Sequence, residues 1–103
     1  MDWVRDRFEH EDMELADRLA FALASYNAGY GHVSDARVVA ERMGLDANRW
    51  FENVEVAMLR LMDPEVYRTV RHGYSRGSEP VNYVRRITDL ATLYFRVTEE
   101  AVR

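Results

Sequence analysis

Two polar side chains, Tyr26 and Asn27, precede a glycine-containing turn, Gly29-Tyr30-Gly31. An amide both donates and accepts hydrogen bonds, and a phenol offers a ring face as well as a hydroxyl. Glycine allows a tight turn and a close approach of the backbone to a ligand. The run therefore predicts a polar binding cleft, with these candidate contacts: Tyr26, Asn27, Gly29 and Tyr30. For Tyr26, packing in a core between helices is an equally open interpretation.

A second group of candidates lies downstream in Ser78-Glu79-Pro80-Val81-Asn82-Tyr83. Glu79 is the most evident acid, but it falls in the first turn of a predicted helix, where the helix dipole stabilises the charged form. A general acid needs the opposite, so we interpret Glu79 as structural or as a residue that orients a cleft loop. Tyr83 offers a hydroxyl that can orient a neighbouring group.

Other chemistries find little support in the composition. The chain has no cysteine, which excludes disulfides, thiol catalysis and cysteine metal sites. His32 and His72 show no metal-ligand spacing, so we expect no metal and no cofactor. We do not expect Ser25 or Ser75 to act as a hydrolase nucleophile. The loop 71–77 mixes arginine and tyrosine, and it is predicted either to rim a groove or to be an ordinary exposed loop.

The spacing of apolar residues predicts an all-α chain that forms a single domain over residues 1–103. Gly29 is placed to stop the second helix, and Asp63-Pro64 is a strong helix start. Ser34, Asn48 and Ser78 are the other expected N-caps. About five or six helices are expected, over residues 2–9, 13–28, 35–43, 49–61, 64–70 and from 79 onward.

Both candidate groups resemble motifs of the goose-lysozyme-like lytic transglycosylases, which cleave bacterial peptidoglycan. Ala24-Ser25-Tyr26-Asn27-Ala28-Gly29 is similar to the family's Ala-Tyr-Asn-Ala-Gly motif, and Glu79 to Val84 resembles its Glu-x-x-x-Tyr-Val motif. The intervening Arg49-Trp50-Phe51-Glu52-Asn53 and Arg71-His72-Gly73-Tyr74 are similar to the membrane-bound lytic murein transglycosylase F subgroup. The resemblance runs from about Arg5 to Tyr94.

The resemblance implies a lysozyme-like helical bundle and a reaction at the β-1,4 bond between N-acetylmuramic acid and N-acetylglucosamine. One glutamate acts as acid and then as base, and the C6 hydroxyl of the sugar attacks to give a 1,6-anhydro product. It also implies that the Tyr83 hydroxyl lies against that glutamate and that Asn27 contacts the substrate near the scissile sugar. Gly29 and Gly31 would serve the turn and close approach, and Ala28 and Tyr30 would help to line the cleft.

The family's Glu-Ser motif, which carries the catalytic acid, has no counterpart here, because no glutamate is followed by serine and glutamine is absent. We therefore expect the C-terminal part of a transglycosylase domain, with little or no activity alone and with apolar surface left exposed. Expected partners are peptidoglycan strands, together with the missing N-terminal half or a second copy. The alternative is a non-catalytic glycan-binding or protein-interaction module.

Charge and hydropathy limit the remaining classes. Fourteen basic residues against 18 acidic ones give a net charge of −4, which argues against nucleic-acid binding. No apolar run has the length of a membrane-spanning helix, and no signal peptide is visible. The family resemblance implies the periplasm or cell envelope as the location.

Overall fold

The computed structural model describes residues 13–102, and in this range the chain is all-α, as predicted. Residues 13–102 form five α-helices and no strand. The helix expected at residues 2–9 lies outside the described residues. In chain order the helices are α1 (Leu15–Ala28), α2 (Tyr30–Arg42), α3 (Glu55–Arg60), α4 (Pro64–Tyr67) and α5 (Ser78–Val102).

A single residue, Gly29, joins α1 to α2. Its φ of 97° lies in the region that favours glycine, and its N–H donates to the Ser25 carbonyl oxygen at 2.8 Å, which closes α1. The predicted stop at Gly29 is confirmed. The predicted N-cap at Ser34 is wrong, because α2 begins directly at Tyr30 and Ser34 lies within it.

The approach to α3 also differs from the prediction. The Asn48 side chain does not cap a helix, because its oxygen accepts a hydrogen bond from the Arg37 guanidinium at 2.7 Å. A tight turn at Trp50–Val54 follows, in which Glu52 has a φ of 62°. The helix proper begins at Glu55, whose carboxylate accepts the Glu52 N–H at 3.1 Å. Tertiary contacts with α2 thus displace the helix start by several residues.

The predicted start at Asp63-Pro64 is confirmed. The Asp63 carboxylate accepts the Glu65 N–H at 3.0 Å, and Pro64 occupies the first helical turn. The helix ends at Tyr67 rather than near Val70, and an irregular segment then leads to Ser78, where α5 begins.

The core lies where α1 packs against α2 and α5, and where α2 packs against α3. Its largest fully buried side chains include Trp50 and Phe21, whose rings meet edge to face with centroids 5.7 Å apart. The buried Asp17 carboxylate accepts the Trp50 backbone N–H at 2.8 Å, which fixes the turn before α3 against α1. Glu55 is also buried, and it pairs with Arg85 of α5 at 3.1 Å.

Only the first part of α5 belongs to this core. Val81 and Val84 are buried, whereas every residue from Asp89 to Val102 is exposed. Exposed leucines also lie on α1, at Leu15 and Leu19. The predicted exposure of apolar surface is therefore observed. Over residues 13–102, no helix combines the length and the hydrophobicity that crossing a membrane requires.

Candidate functional site

A cavity of about 260 Å³ opens where the end of α1, the start of α2 and the start of α5 meet. The loop before α5 forms its remaining side. Polar groups predominate among the side chains that line it: Asn27, Ala28, His32, Tyr74, Ser75, Arg76, Glu79 and Pro80. The cavity therefore joins the two sequence motifs, which lie some fifty residues apart along the chain.

Backbone geometry brings these elements together. Because Gly29 alone joins the two helices, the last turn of α1 and the first turn of α2 are adjacent, and Asn27 and His32 line the same space. The start of α5 is held close to α3 by Gly77, whose Cα faces the Met58 carbonyl group so closely that an added Cβ would overlap it. Glu79 is thereby placed at the cavity.

The loop before α5 is anchored to α2 through His72. Its backbone N–H donates to the buried Asp35 carboxylate at 2.8 Å. Its ring lies over Gly31, where an added Cβ would come within 2.9 Å of the imidazole, and meets the His32 ring edge to face with centroids 6.3 Å apart. These contacts fix the position of the loop, and the loop places Tyr74 at the rim of the cavity.

Glu79 lies in the first turn of α5, as predicted, and its side chain is 62% exposed. Its carboxylate pairs with the Arg76 guanidinium at 3.6 Å. A carboxylic acid that donates a proton near neutral pH requires an apolar, desolvated environment. The surroundings of Glu79 are polar and open, so this position suits the orientation of the loop or a ligand rather than proton transfer.

The structure brings some of the predicted site residues together and separates others. Asn27 lines the cavity, whereas Tyr30 packs against the hydrophobic core. Tyr26 is 70% exposed, so the core interpretation of this ring is wrong and its hydroxyl is available at the surface. Gly29 forms the exposed turn beside Asn27. Tyr83 is half-buried one helical turn beyond Glu79, which places both on one face of α5.

Sequence reasoning did not single out His32 as a cavity residue and left the loop residues Tyr74 and Arg76 undecided. The His32 Nδ1 atom is buried and has no hydrogen-bond partner in the described part of the chain. A histidine directly after Gly31, in the run that begins with the Tyr-Asn pair, was the available signal for this residue. Its neighbour in space, His72, is brought to it by tertiary contacts alone.

Gly73-Tyr74-Ser75-Arg76-Gly77 has the spacing of a hydrolase nucleophile turn, Gly-x-Ser-x-Gly. That turn joins a strand to a helix, and here no strand precedes it in residues 13–102. Ser75 is buried, and its backbone N–H donates to the Leu61 carbonyl oxygen at 3.3 Å. The segment is thus a loop that packs against the end of α3, and its context is not that of a nucleophile turn.

In the same range, no set of three or more histidine, aspartate or glutamate side chains is arranged to hold a metal ion. The cavity instead offers an amide, an imidazole, a phenol, a guanidinium and a carboxylate around a small polar space. Such groups hydrogen-bond hydroxyl and N-acetyl substituents, which is the chemistry of a sugar ligand.

Comparison with known proteins gives a consistent set of relatives. The chain is 52% identical over 77 residues to a membrane-bound lytic murein transglycosylase F from Maricaulis maris, an alignment that covers 75% of this chain and 17% of that protein. It is 49% identical over 84 residues to the protein of the same name from Desulfosudis oleivorans, covering 82% and 18%. A Pseudomonas fluorescens protein of that name is 45% identical over 93 residues, covering 87% and 19%.

The chain thus spans less than a fifth of the length of these curated relatives. No protein-family model matches it. The identity nevertheless extends over three quarters or more of the chain. On this evidence, and with the two motifs meeting at one cavity, the chain belongs to the lytic murein transglycosylase family.

Proposed function

We propose that this chain is the C-terminal part of a peptidoglycan lytic transglycosylase domain and forms one wall of its glycan groove. The observation that carries the proposal is the meeting of Asn27 and Glu79, from the two family motifs, at one polar cavity. The identity of 45–52% to proteins named as lytic murein transglycosylases supports it. We place the protein in the bacterial envelope, where murein is found.

In the proposed reaction, the whole protein cleaves the β-1,4 bond between N-acetylmuramic acid and N-acetylglucosamine. A single protonated glutamate donates to the departing oxygen, and the sugar's own C6 hydroxyl closes a 1,6-anhydro ring. Glu79 is exposed and paired with Arg76, so we assign the acid to another part of the whole protein. The Tyr83 hydroxyl, on the same face of α5, would orient that acid.

The contribution of this part is therefore binding and orientation. The Asn27 amide can donate to a sugar oxygen and accept from an N-acetyl N–H. The Tyr74 ring, which is exposed at the rim, can stack on a pyranose. The Tyr67 ring packs against it in a T-shaped contact with centroids 5.6 Å apart. Arg76 offers a guanidinium to the carboxylates of the stem peptide. Tyr26 is exposed next to Asn27 in the sequence and is a further candidate for contact with the glycan.

Titration of the chain with a peptidoglycan tetrasaccharide, followed by NMR, tests this assignment. We expect the amide signals of Asn27, His32 and Tyr74 to shift, and Asn27→Ala to weaken binding about five- to tenfold, the loss expected for one or two neutral hydrogen bonds. Asn82→Ala, an equivalent change at an exposed position of α5 outside the cavity, is the matched control.

Equal affinities of Asn27→Ala and the wild-type chain would refute the placement of the glycan in this cavity. Shifts confined to the distal part of α5 would refute it as well. With purified sacculi, the chain alone should release no 1,6-anhydro muropeptides, because the acid is supplied from elsewhere. Release that disappears in Glu79→Gln would instead identify Glu79 as the acid and overturn the division of roles.

A further inference from the structure

The distal part of α5 projects from the bundle with its apolar side uncovered. From Asp89 to Val102 every residue is exposed, over roughly 21 Å of helix at 1.5 Å per residue. Large apolar side chains recur along it: Leu90, Leu93, Tyr94, Phe95 and Val97. A helix of this length is marginal in water unless its apolar face packs against another surface.

The apolar residues follow the heptad pattern of a coiled coil. Ile87, Leu90, Tyr94 and Val97 are spaced by three, four and three residues, which are the intervals of successive a and d positions. All four are exposed. They form a stripe, here called the α5 stripe, that runs along the exposed distal part of the helix. Heptad spacing points to another helix as the occupant of this stripe.

Charges beside the stripe point to a second copy in antiparallel orientation. Arg86 and Glu100 occupy equivalent flanking positions, and Leu93 lies midway between them. When two copies run antiparallel about a two-fold axis at Leu93, each Arg86 lies beside Glu100 of the other copy. In a parallel pair these two side chains are separated by roughly 21 Å along the axis. Only the antiparallel pair is therefore self-complementary in charge.

We propose that the α5 stripe is a self-association surface through which two copies of the chain pair antiparallel, with Leu93 at the two-fold axis. The Arg86–Glu100 pairs between copies set the register, and the stripe residues supply the apolar contact. This proposal stands on the stripe and its charges, and it is independent of what the cavity at the other end of α5 binds.

Sedimentation equilibrium of the full chain tests the association. At roughly 100 µM, where an interface of micromolar Kd is filled, we expect twice the mass of the chain. Leu93→Glu places two carboxylates face to face at the axis and should give monomers whose bundle stays folded, because Leu93 is 58% exposed and lies outside the core. The same change at the exposed Leu15 of α1 is the matched control and should leave the dimer intact. A monomeric wild-type chain, or dimers of Leu93→Glu, would overturn the proposal.

Two further experiments test the orientation. Arg86→Glu should weaken the dimer at least tenfold by opposing Glu100, and adding Glu100→Arg should restore it. Because the chain has no cysteine, single cysteines report on proximity directly. Leu93→Cys should form a disulfide between copies, whereas Val97→Cys should not, since antiparallel pairing separates the two copies of residue 97 by roughly 12 Å along the helix axis. Efficient cross-linking at Val97, or no rescue by Glu100→Arg, would refute the antiparallel pair.

Discussion

Replacement of Gly77 by alanine should destabilise the protein more than any other glycine-to-alanine change among the described residues. Gly77 is buried where the start of α5 crosses the end of α3. A Cβ at this position would overlap the Met58 carbonyl oxygen, lie 2.5 Å from the carbonyl carbon and 3.1 Å from the Leu59 nitrogen. The obstacle is backbone, so no side-chain rotation relieves it, and α5 must move away from α3.

The magnitude follows from the size of that movement. Ordinary van der Waals contact of a Cβ begins near 3.4 Å, so the carbonyl group and α5 must separate by an ångström or more. Overpacking of a well-packed interior costs about 1–3 kcal/mol, and an overlap with backbone lies at the upper end of this range. A loss of about 3 kcal/mol corresponds to a fall in Tm of roughly 12–24 °C for a domain of this size.

Thermal unfolding of the full chain, followed by circular dichroism, measures the effect, with Gly44→Ala as the control. Gly44 has a φ of 76° but nothing within 4 Å of an added Cβ. Alanine there meets only the penalty of the left-handed conformation, about 1 kcal/mol, so Tm should fall by roughly 4–8 °C. If Gly77→Ala lowers Tm no more than Gly44→Ala does, the tight crossing of α5 over α3 is not present in solution.

Three further substitutions test the buried acid of α1 and the proposed orienting tyrosine. Asp17→Ala leaves the buried Trp50 N–H without its acceptor and should lower the free energy of unfolding, measured by chemical denaturation, by about 2–3 kcal/mol. Asp17→Asn keeps an oxygen acceptor and should lower it by less. Equal losses in the two variants would argue against the hydrogen bond. In the whole enzyme, Tyr83→Phe should lower turnover roughly ten- to a hundredfold at nearly unchanged Tm, since only the hydroxyl is lost. Unchanged turnover with a lower Tm would make Tyr83 a packing residue.

The helix boundaries that could be predicted from the sequence are those set by local chemistry. Gly29 ends α1 because its positive φ is intrinsically favourable only for glycine. Asp63 starts α4 because its carboxylate accepts an N–H two residues away. Neither signal depends on the rest of the fold, so both predictions are confirmed.

The failed boundary before α3 is set by contacts between distant residues. Asn48 has the chemistry of an N-cap, but its side-chain oxygen accepts a hydrogen bond from Arg37 of α2. The Trp50 N–H donates to Asp17 of α1, so the chain makes a tight turn before α3 begins. A local pattern contains neither partner, and each of these hydrogen bonds spans more than ten residues of sequence.

The candidate site divides in the same way. Asn27 could be selected from the sequence because it lies in a recognisable motif, and it lines the cavity. Glu79, which we interpret as structural or as orienting a cleft loop, lines the cavity as well. His32 could not be selected, because its role depends on the loop that His72 anchors to Asp35 and Gly31. Tyr30 was selected for its place in the motif, yet it packs against the core, which shows that membership of a motif does not fix the direction of each side chain.

The residues that hold the cavity in shape are different from the residues that are available to bind a ligand. The elements are positioned by contacts outside the cavity: Gly77 against the Met58 carbonyl, the His72 N–H on Asp35, and the Glu55 pair with Arg85. No hydrogen bond within residues 13–102 engages the Asn27 amide. A polar group that is oriented by its helix but left unengaged meets a ligand without first breaking a bond to the protein, which lowers the cost of binding. We therefore expect substitutions at the supporting contacts to change stability and affinity together, and substitutions at Asn27 to change affinity alone.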